Sequence, residues 1–330
     1  MPAQLEPFQD SSSSRAELVP FLMTQFRGEG ACDTEQWLRR MAYWWDENPF
    51  ANAHSCRGWV LRDAGPIVGY LGVIPTFYED TLGKQIPALI ATTWAVAKEH
   101  RNAALAMGMM LQRQSSSALL VDTTPSPEVQ KLLHRWGWTS RTQIRRSLII
   151  RGISLARLAG LINSNGLTLP NGREITTDLH RVHSMDSTRS QKFLQKHVTP
   201  DYLRWYAASP MREHHFIGIV DAQGRLSSYL MLTQKFVKGL SSWTVVDWFT
   251  TQETNRELLV MVGHLIRKSP ATHGKWWPFI SLAAFPHEDP WAGVSYAYQR
   301  EEAVNHFYSL PDEFKRHEIR SVMAEGDWGL

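Results

Sequence analysis

Cysteine is nearly absent from this 330-residue sequence, which contains only Cys32 and Cys56. Two cysteines are too few for a disulfide framework, and these two lack the spacing of metal ligands. The histidines that lie near one another in sequence also lack companion ligands at zinc spacing: His180, His183, His214 and His215. We therefore expect no metal site, and we expect a reducing compartment, which we take to be the cytoplasm.

Long apolar runs and clusters of one charge are missing as well. Nowhere do about 18 uninterrupted apolar residues occur, and residues 1–18 lack the apolar core of a signal peptide, so we expect no membrane span. Lysine and arginine total 35 against 32 acidic residues, a net charge of +3. Because the basic residues are scattered, we do not expect a nucleic-acid partner, while a mildly basic pocket for an anionic ligand stays open.

The length suits two hydrophobic cores, since single cores stop growing beyond roughly 250 residues. Hydrophobic residues make up 43% of the chain and charged residues 20%, which is typical of a packed globular protein. The Ser-rich residues 1–14 predict a flexible tail. Residues 161–175, rich in Gly, Asn and Ser, predict a linker between an N-terminal domain over 15–160 and a C-terminal domain over 176–330.

The first half predicts two helices followed by alternating strands and helices. The second helix has Asp33 as its N-cap candidate, and the turn at residues 63–65 predicts a hairpin. The predicted helices cover residues 15–26, 33–45, 102–114 and 125–136, and the predicted strands cover 59–62, 67–73, 88–97, 119–122 and 142–150.

The second half repeats this order. Trp44 stands five residues before Pro49, and Trp205 stands five residues before Pro210. A hairpin, a strand, a helix and a further short strand then follow, over residues 216–220, 226–230, 243–250, 255–268 and 279–284. An ordered series of this kind predicts an internal duplication.

The junction between the strand ending at Ala97 and the helix beginning at Asn102 has the features of an anion site. The first amides of a helix have no intrahelical acceptors, and the positive end of the helix dipole lies at the same point. Alanines in this turn let a ligand approach the main chain, and Arg101 adds positive charge. The alternative is an alanine-rich helix that only packs against the sheet.

This junction resembles the phosphate turn of the GNAT acyltransferase superfamily, which reads Arg or Gln, two residues, Gly, one residue, then Gly or Ala. Here the turn stands as Arg101-Asn102-Ala103-Ala104-Leu105-Ala106, with Ala104 in place of the characteristic Gly. Gly137-Trp138, after the last predicted helix of the first half, looks like the family's Gly-Phe pair. The resemblance covers residues 40–150 and, through the repeat, residues 200–330 more faintly.

The resemblance implies an α/β fold with a mixed sheet, built from two tandem GNAT-like domains that each have a mostly antiparallel central sheet flanked by helices. The whole is similar to tandem-GNAT proteins found with bacterial polysaccharide biosynthesis. It implies acetyl-CoA or another acyl-CoA as co-substrate, held by the turn at 101–106 and by a neighbouring strand. The backbone of that strand would hold the pantetheine and the acyl carbonyl, and it contributes Trp94, Ala95, Val96 and Ala97.

The candidate catalytic residues come partly from the resemblance and partly from position. The family often places a proton-donating Tyr where this chain has Leu133, so the adjacent His134 is a candidate acid or else a surface histidine. Asp122 and Asp247 are candidate bases for the acceptor. Residues 123–125 also favour a capping turn at Asp122, and Asp247 lies among apolar residues, where a carboxylate needs a partner or has a raised pKa.

The sequence therefore predicts an acyl-CoA-dependent N- or O-acyltransferase that acts on a small-molecule or sugar-type acceptor. Two alternatives stay open. One is a transferase that uses a different acyl or aminoacyl carrier, and the other is an inactive GNAT-like module that binds a metabolite or a protein. The sequence leaves the acceptor, the acyl length and the oligomeric state open.

Overall fold

A computed structural model describes residues 3–28, 31–150, 169, 172–185, 193–237, 240–250, 256–268, 279–284 and 296–326. The helices are α1 (Ser12–Gln25), α2 (Thr34–Trp45), α3 (Ala104–Arg113), α4 (Pro127–Arg135), α5 (Pro200–Ala207) and α6 (Arg256–Lys268). The strands of the first half are β1 (Gln4–Pro7), β2 (Gly58–Arg62), β3 (Ile67–Glu79), β4 (Gln85–Val96), β5 (Leu119–Asp122) and β6 (Thr139–Ile150). The later strands are β7 (Glu174–Thr176), β8 (Ser184–Met185), β9 (Phe193–Lys196), β10 (His214–Val220), β11 (Arg225–Val237), β12 (Leu240–Thr250), β13 (Phe279–Ala284), β14 (Tyr296–Ser309) and β15 (Glu318–Ile319).

These strands form a mixed and mostly antiparallel sheet. Its main path runs β1-β2-β3-β4-β5-β14-β6-β13-β12-β11-β10-β7. Along this path β4 with β5 and β12 with β13 are the parallel neighbours, and each pair is connected through a helix, α3 or α6. The predicted α/β class with a mixed, mostly antiparallel sheet is confirmed.

The predicted duplication is visible in the sheet. In each half a hairpin, β2-β3 or β10-β11, is followed by a long antiparallel strand, β4 or β12, and then by a short parallel strand. The equivalent helices α2 and α5 meet across the halves. The rings of Tyr43 and Trp205 stack 4.8 Å apart, the Tyr43 hydroxyl donates to the Trp205 carbonyl, and the Trp205 indole donates to the Tyr43 carbonyl.

The two halves exchange strands in the middle of the sheet. Strand β14, from the end of the chain, lies between β5 and β6 of the first half. Strand β6 pairs in turn with β13 of the second half. The predicted division at residues 161–175 stays a prediction, because most of these residues lie outside the described part of the chain.

The structure corrects the predicted flexible tail over residues 1–14. Strand β1 pairs with β2 at the edge of the sheet, from Gln4 opposite Arg62 to Pro7 opposite Trp59. Phe8 is buried in the core, and the side chain of Ser11 accepts the amide of Ser14 to cap α1. Serines at a helix start satisfy free amides rather than loosen the chain, and the sequence interpretation missed this.

The core fills both faces of the sheet. One cluster packs α1, α2 and α5 against the sheet, and a second packs α3 and α4 against the face of β2 to β5. Helix α2 begins with the predicted cap, since Asp33 accepts the amide of Gln36, and the Gln36 side chain accepts the amide of Asp33. Phe307 of β14 belongs to the second cluster, so a side chain from the end of the chain completes the core of the first half.

We predict that Phe307→Ala lowers the free energy of unfolding by about 3–5 kcal/mol, because it removes a ring that is 1% exposed. Denaturant unfolding followed by fluorescence and by circular dichroism measures the loss. Leu82→Ala, at a side chain that is 90% exposed, is the control and should stay within about 0.5 kcal/mol. A loss below 1 kcal/mol at Phe307 would contradict the exchanged-strand packing.

Candidate functional site

A gap opens in the sheet where β4 separates from β5. Their parallel pairing covers Ala88 to Ile90 on β4, opposite Leu119 to Val121 on β5, whereas β4 continues to Val96 against β3. Strand β5 ends at Asp122, whose carboxylate accepts the amide of Thr124 at 3.2 Å. This turn directs the chain away from β4, so the facing edge of β4 beyond Ile90 borders a space that we call the first wedge.

A β-bulge lies in β4 beside the first wedge. Tyr70 pairs with Ala95 and Gly72 pairs with Thr92, so Leu71 alone faces Thr93 and Trp94. Thr93 has a φ of +49°, which is a strained conformation for a β-branched residue. Glycine at position 72 leaves space for the Thr93 side chain, because a Cβ there would lie 2.9 Å from the Thr93 hydroxyl oxygen. Bulges redirect side chains, and strained residues are concentrated at functional sites.

A cavity of about 460 Å³ fills the first wedge. Its walls come from the α1-α2 connection, from α2, from β4 beyond Ile90, and from the segment between β5 and α4. The lining residues are Phe26, Arg27, Ala31, Cys32, Trp37, Arg40, Ala91, Thr92, Thr93, Trp94, Asp122, Thr124, Pro125, Ser126 and Val129. Two residues predicted from the sequence, Trp94 and Asp122, therefore lie at one cavity.

The charged residues on the cavity wall come from different parts of the chain. Arg27 and Arg40 lie on the α1-α2 side, and Asp122 lies at the end of β5. The guanidinium of Arg40 stacks over the rings of Trp37 and Trp44, with centroid distances of 5.4 and 4.7 Å. Such cation–π contacts fix the position of the charged group.

Several buried polar atoms on the wall of the first wedge lack a protein partner among the described residues. These are the indole nitrogens of Trp37 and Trp94 and the hydroxyl of Thr93. Buried polar groups in folded proteins are almost always hydrogen-bonded, and these three atoms are enclosed in the wall rather than open to the cavity.

The predicted phosphate turn is a 3₁₀ helix over Lys98–Ala103 that leads directly into α3. The amide of His100 donates to the Ala97 carbonyl, and the amide of Ala104 donates to the Arg101 carbonyl. This corrects the expectation of free amides near Asn102, because a 3₁₀ helix leaves only the amides of its first residues unpaired. The side chains of Arg101 and Asn102 are exposed on this turn.

The other residues that were predicted to bind the acyl donor lie on β4 and around the start of α3, and they do not line the cavity. Ala95, Val96 and Ala97 are partly buried beside β3, Ala103 and Ala104 are partly buried, and Leu105 and Ala106 are exposed on α3. Ala95 and Ala97 pack against one hydrophobic cluster, and Val96 and Ala103 pack against the other. Their assignment to a donor stays a prediction.

Asp247 occupies the equivalent place in the second half. The pairing of β12 with β13 ends at Val245, and Val246 is the extra residue of a bulge in the β11-β12 ladder. Asp247 follows and is buried, where it accepts the Tyr229 hydroxyl and the Trp248 amide, both at 2.8 Å. The carboxylate thus has the partners that its apolar surroundings require.

This second wedge, the space beside β12 beyond Val245, is filled by protein. The Nζ of Lys196 donates to the Ala324 carbonyl at 2.8 Å, and Arg320 donates to the Trp248 carbonyl at 2.9 Å while stacking on that ring. Burial lowers the pKa of Lys196 to about 7, and the charge of Asp247 opposes this shift. The chain then reaches Gly326, which packs directly against Thr123 beside the first wedge.

The helix starts of the two halves also differ in how their acidic residue is placed. Glu257 lies in the first turn of α6, pairs with Arg173 at 3.0 Å and accepts the Ser228 hydroxyl. Its carboxylate occupies the end of the helix that attracts anions. The first turn of α3 contains no acidic residue, but the 3₁₀ helix that leads into it has the exposed Glu99 in its own first turn. The acidic residue is therefore buried and paired in the second half and exposed in the first half.

The structure does not bring the three predicted catalytic residues together. Asp122 lines the cavity of the first wedge, and Asp247 is enclosed in the second wedge. His134 is exposed on α4, with its ring 4.9 Å from that of Phe307. Leu133, at the position of the family's Tyr, is buried in the core.

Sequence reasoning missed Trp37, Arg40 and Thr93. The sequence does contain a signal for the two residues on α2, because the spacing of Trp37, Arg40 and Trp44 places them on one face of that helix. Nothing local marks Thr93, because its strained conformation depends on the register between two strands.

Among the described residues, no helix combines the length and apolar composition that crossing a bilayer requires. The same part of the chain contains no group of three or more His, Cys, Asp or Glu side chains placed to hold a metal ion.

Solved structures share this architecture. The chain is similar to a GCN5-related N-acetyltransferase from Anabaena variabilis ATCC 29413, with 12% identity, a TM-score of 0.61, and coverage of 94% of this chain and 74% of that one. A GCN5-related N-acetyltransferase from Kribbella flavida is 13% identical with a TM-score of 0.60, and the match covers 94% of this chain and 72% of that one. Eis1 from Mycobacterium abscessus is 13% identical with a TM-score of 0.55, and the match covers 94% of this chain and 74% of that one. No protein-family model matches the chain, and no curated protein matches it. At these identities the likeness shows the fold, so the predicted GNAT fold is confirmed.

We predict that Gly108→Ala destabilises the protein although alanine is the better helix former. A Cβ at Gly108 would lie 2.5 Å from Trp136 and 2.6 Å from Trp94, so the overpacking cost of about 1–3 kcal/mol exceeds the helix gain of about 1 kcal/mol. Thermal unfolding measures the effect, with the exposed Met109→Ala as control. A more stable Gly108→Ala variant would refute this packing.

We predict a pH effect from His306, whose pKa is lowered to about 3 by burial and by the charge of Lys196. Between about pH 3 and 6.5 the unfolded chain binds this proton and the folded protein does not. The free energy of unfolding therefore falls as the pH drops through this window, by about 1.4 kcal/mol per unit from this group. His306→Gln should reduce that slope in urea titrations between pH 4 and 7, whereas the exposed His54→Gln should keep it. Equal slopes for both variants would argue against a neutral, buried His306.

Proposed function

We propose that the protein is an acyl-CoA-dependent N- or O-acyltransferase whose reaction takes place in the first wedge. The observation that carries the proposal is the contrast between the two halves of a GNAT fold. The first wedge contains a strained bulge and an open cavity, whereas the equivalent wedge of the second half is filled by Lys196, Arg320 and the segment around Ala324. The fold neighbours, described as N-acetyltransferases, support acyl transfer as the reaction class.

The donor would lie along β4, with its thioester at the bulge and its phosphates toward the 3₁₀ turn. Lys98 and Arg101 are exposed there, and neither has an ion-pair partner among the described residues. Two unpaired cations next to a helix start suit a diphosphate. Trp94, Ala95, Val96 and Ala97 would line the path between the phosphates and the acyl group.

The reaction needs positioning more than special side chains. The acceptor nitrogen or oxygen attacks the thioester carbon, the carbon–sulfur bond breaks, and CoA leaves as a thiolate that takes up a proton. The edge of β4 beyond its pairing with β5 offers backbone groups to the developing oxyanion. Asp122 is the carboxylate on the described cavity wall and is our candidate to accept the proton of the acceptor. His134 lies outside the cavity, so we assign it no role in this step.

A second candidate function is transfer from a different acyl or aminoacyl carrier. The 3₁₀ helix favours it, because the hydrogen bonds of that helix occupy amides that the phosphate turn would need. The acceptor in either case is a small molecule or a sugar-type compound, and the link to polysaccharide biosynthesis rests on the sequence resemblance alone.

We predict that acetyl-CoA or a longer acyl-CoA raises the melting temperature of the protein. A ligand at about 100 times its dissociation constant adds about 2.7 kcal/mol to the free energy of unfolding. Arg101→Glu and Ala104→Trp should abolish the shift, because they place a negative charge and a bulky side chain at the turn. Arg113→Glu, exposed at the other end of α3, should keep it.

Thermal shift with each acyl-CoA measures this prediction, and each variant is compared with its own ligand-free melting temperature. Absence of a shift with every acyl-CoA would contradict CoA as the donor. A full shift in both Arg101→Glu and Ala104→Trp would contradict the position of the donor.

A further inference from the structure

The turn that ends β5 is held from two sides by the last part of the chain. Asp122, the final residue of β5, pairs with Phe307 of β14. Thr123 follows and packs against Gly326. The Asp122 carboxylate accepts the amide of Thr124, and Asp122 and Thr124 both line the cavity of the first wedge. One wall of this cavity therefore rests on residues of the second half.

The contact between Gly326 and Thr123 requires glycine. A Cβ at Gly326 would lie 1.5 Å from the Thr123 hydroxyl oxygen and 2.6 Å from the Thr123 Cβ. The φ of Gly326 is −104°, in the extended region that any residue adopts, so the close approach alone excludes a side chain. Thr123 is buried, and its hydroxyl has no hydrogen-bond partner among the described residues. Close packing therefore holds Thr123 in place.

The residues before Gly326 are anchored in the second wedge. Residues 321–325 are all buried, and their 3₁₀ turn, Met323–Glu325, packs against β12. The Nζ of Lys196 donates to the Ala324 carbonyl at 2.8 Å, and the amide of Arg320 donates to the Leu194 carbonyl at 2.9 Å. These anchors come from strands of the second half, so the second half sets the position of Gly326.

We propose that Gly326 is a positioning residue for the reaction in the first wedge. Through Thr123 it fixes the turn that carries Asp122, the candidate base, so the packing of the second half sets the geometry of this wall. The inference rests on the proposed function. The segment that fills the second wedge thereby supports the shape of the first wedge.

Gly326→Ala tests the contact, because the added Cβ displaces the Thr123 side chain and loosens the turn. Hydrogen exchange of the peptide over residues 119–126 should become roughly 5- to 150-fold faster, which corresponds to the usual cost of overpacking. The matched control is Gly218→Ala on β10, where a Cβ would lie 2.5 Å from the ring of Phe216. That variant loses stability far along the chain from the turn, so exchange over residues 119–126 should not change.

Two further variants make the test independent of the overpacked side chain. Thr123→Gly, added to Gly326→Ala, removes the atoms that the new Cβ would meet, so the double variant should recover most of the protection. Met323→Ala truncates a side chain that is 4% exposed and loosens the same segment without overpacking. It should also speed exchange over residues 119–126, and it decides the question if Gly326→Ala does not fold.

Turnover separates a positioning role from a purely structural one. The donor is the acyl-CoA that gives the largest thermal shift, the acceptors are glucosamine and phenethylamine, and CoA release is measured. Gly326→Ala should lower kcat by up to about 100-fold, the effect of a misplacement of about 1 Å. It should keep the KM for the acyl-CoA and the thermal shift, because it lies outside the proposed donor path along β4. Gly218→Ala should keep kcat below its melting temperature.

The outcomes separate this inference from the proposed function. Unchanged exchange over residues 119–126 in Gly326→Ala and Met323→Ala, an equal change in Gly218→Ala, or a normal kcat in Gly326→Ala would overturn the inference. Each of these results leaves acyl transfer by the wild type standing. No acyl-CoA binding and no CoA release by the wild type with either acceptor would overturn the proposed function, and the positioning role would fall with it even if exchange responded as expected.

Discussion

The separation of β4 from β5 is the constraint on which the candidate site depends. Three paired residues hold the strands together, and beyond Ile90 the two strands lose their shared hydrogen bonds. The bulge at Thr93 then turns Trp94 toward the opening, and the capping turn at Asp122 takes the other strand away. Without both features the edge of β4 would be paired along its length and would have no backbone groups to offer a ligand.

Duplication produced this opening twice, and the two copies differ in what occupies it. In the second half, Asp247 is satisfied by Tyr229, and a late segment of the chain fills the rest. Glu257 places a buried carboxylate at the start of α6, where it pairs with Arg173. The second half also contributes packing to the first half, because it supplies β14 and stacks Trp205 on α2.

Much of the fold could be predicted from the sequence, because each element has its own periodicity and turn residues. The hairpins, α3, the cap at Asp33 and the duplication are of this kind. The strand exchange could not be predicted, since pairing between β14 and β5 joins distant residues that carry no local signal. The candidate site shows the same difference between features that have a local sequence signal and features that depend on distant residues. Asp122 was predicted from its position at a strand end and Trp94 from the family resemblance, whereas the strain at Thr93 and the enclosure of Asp247 depend on register and on segments far along the chain.

The exchange of β6 and β14 has a consequence for biosynthesis. A ribosome must complete the chain through Ser309 before the strand that lies beside β5 exists. Until then the nascent first half exposes the edge of a four-residue strand and the apolar surface that Phe307 later covers. Unpaired edges and open apolar surface are what chaperones recognise and what drives aggregation. The first half therefore completes its sheet only after translation has passed Ser309, and a fragment that ends at residue 160 would lack the strand that lies beside β5.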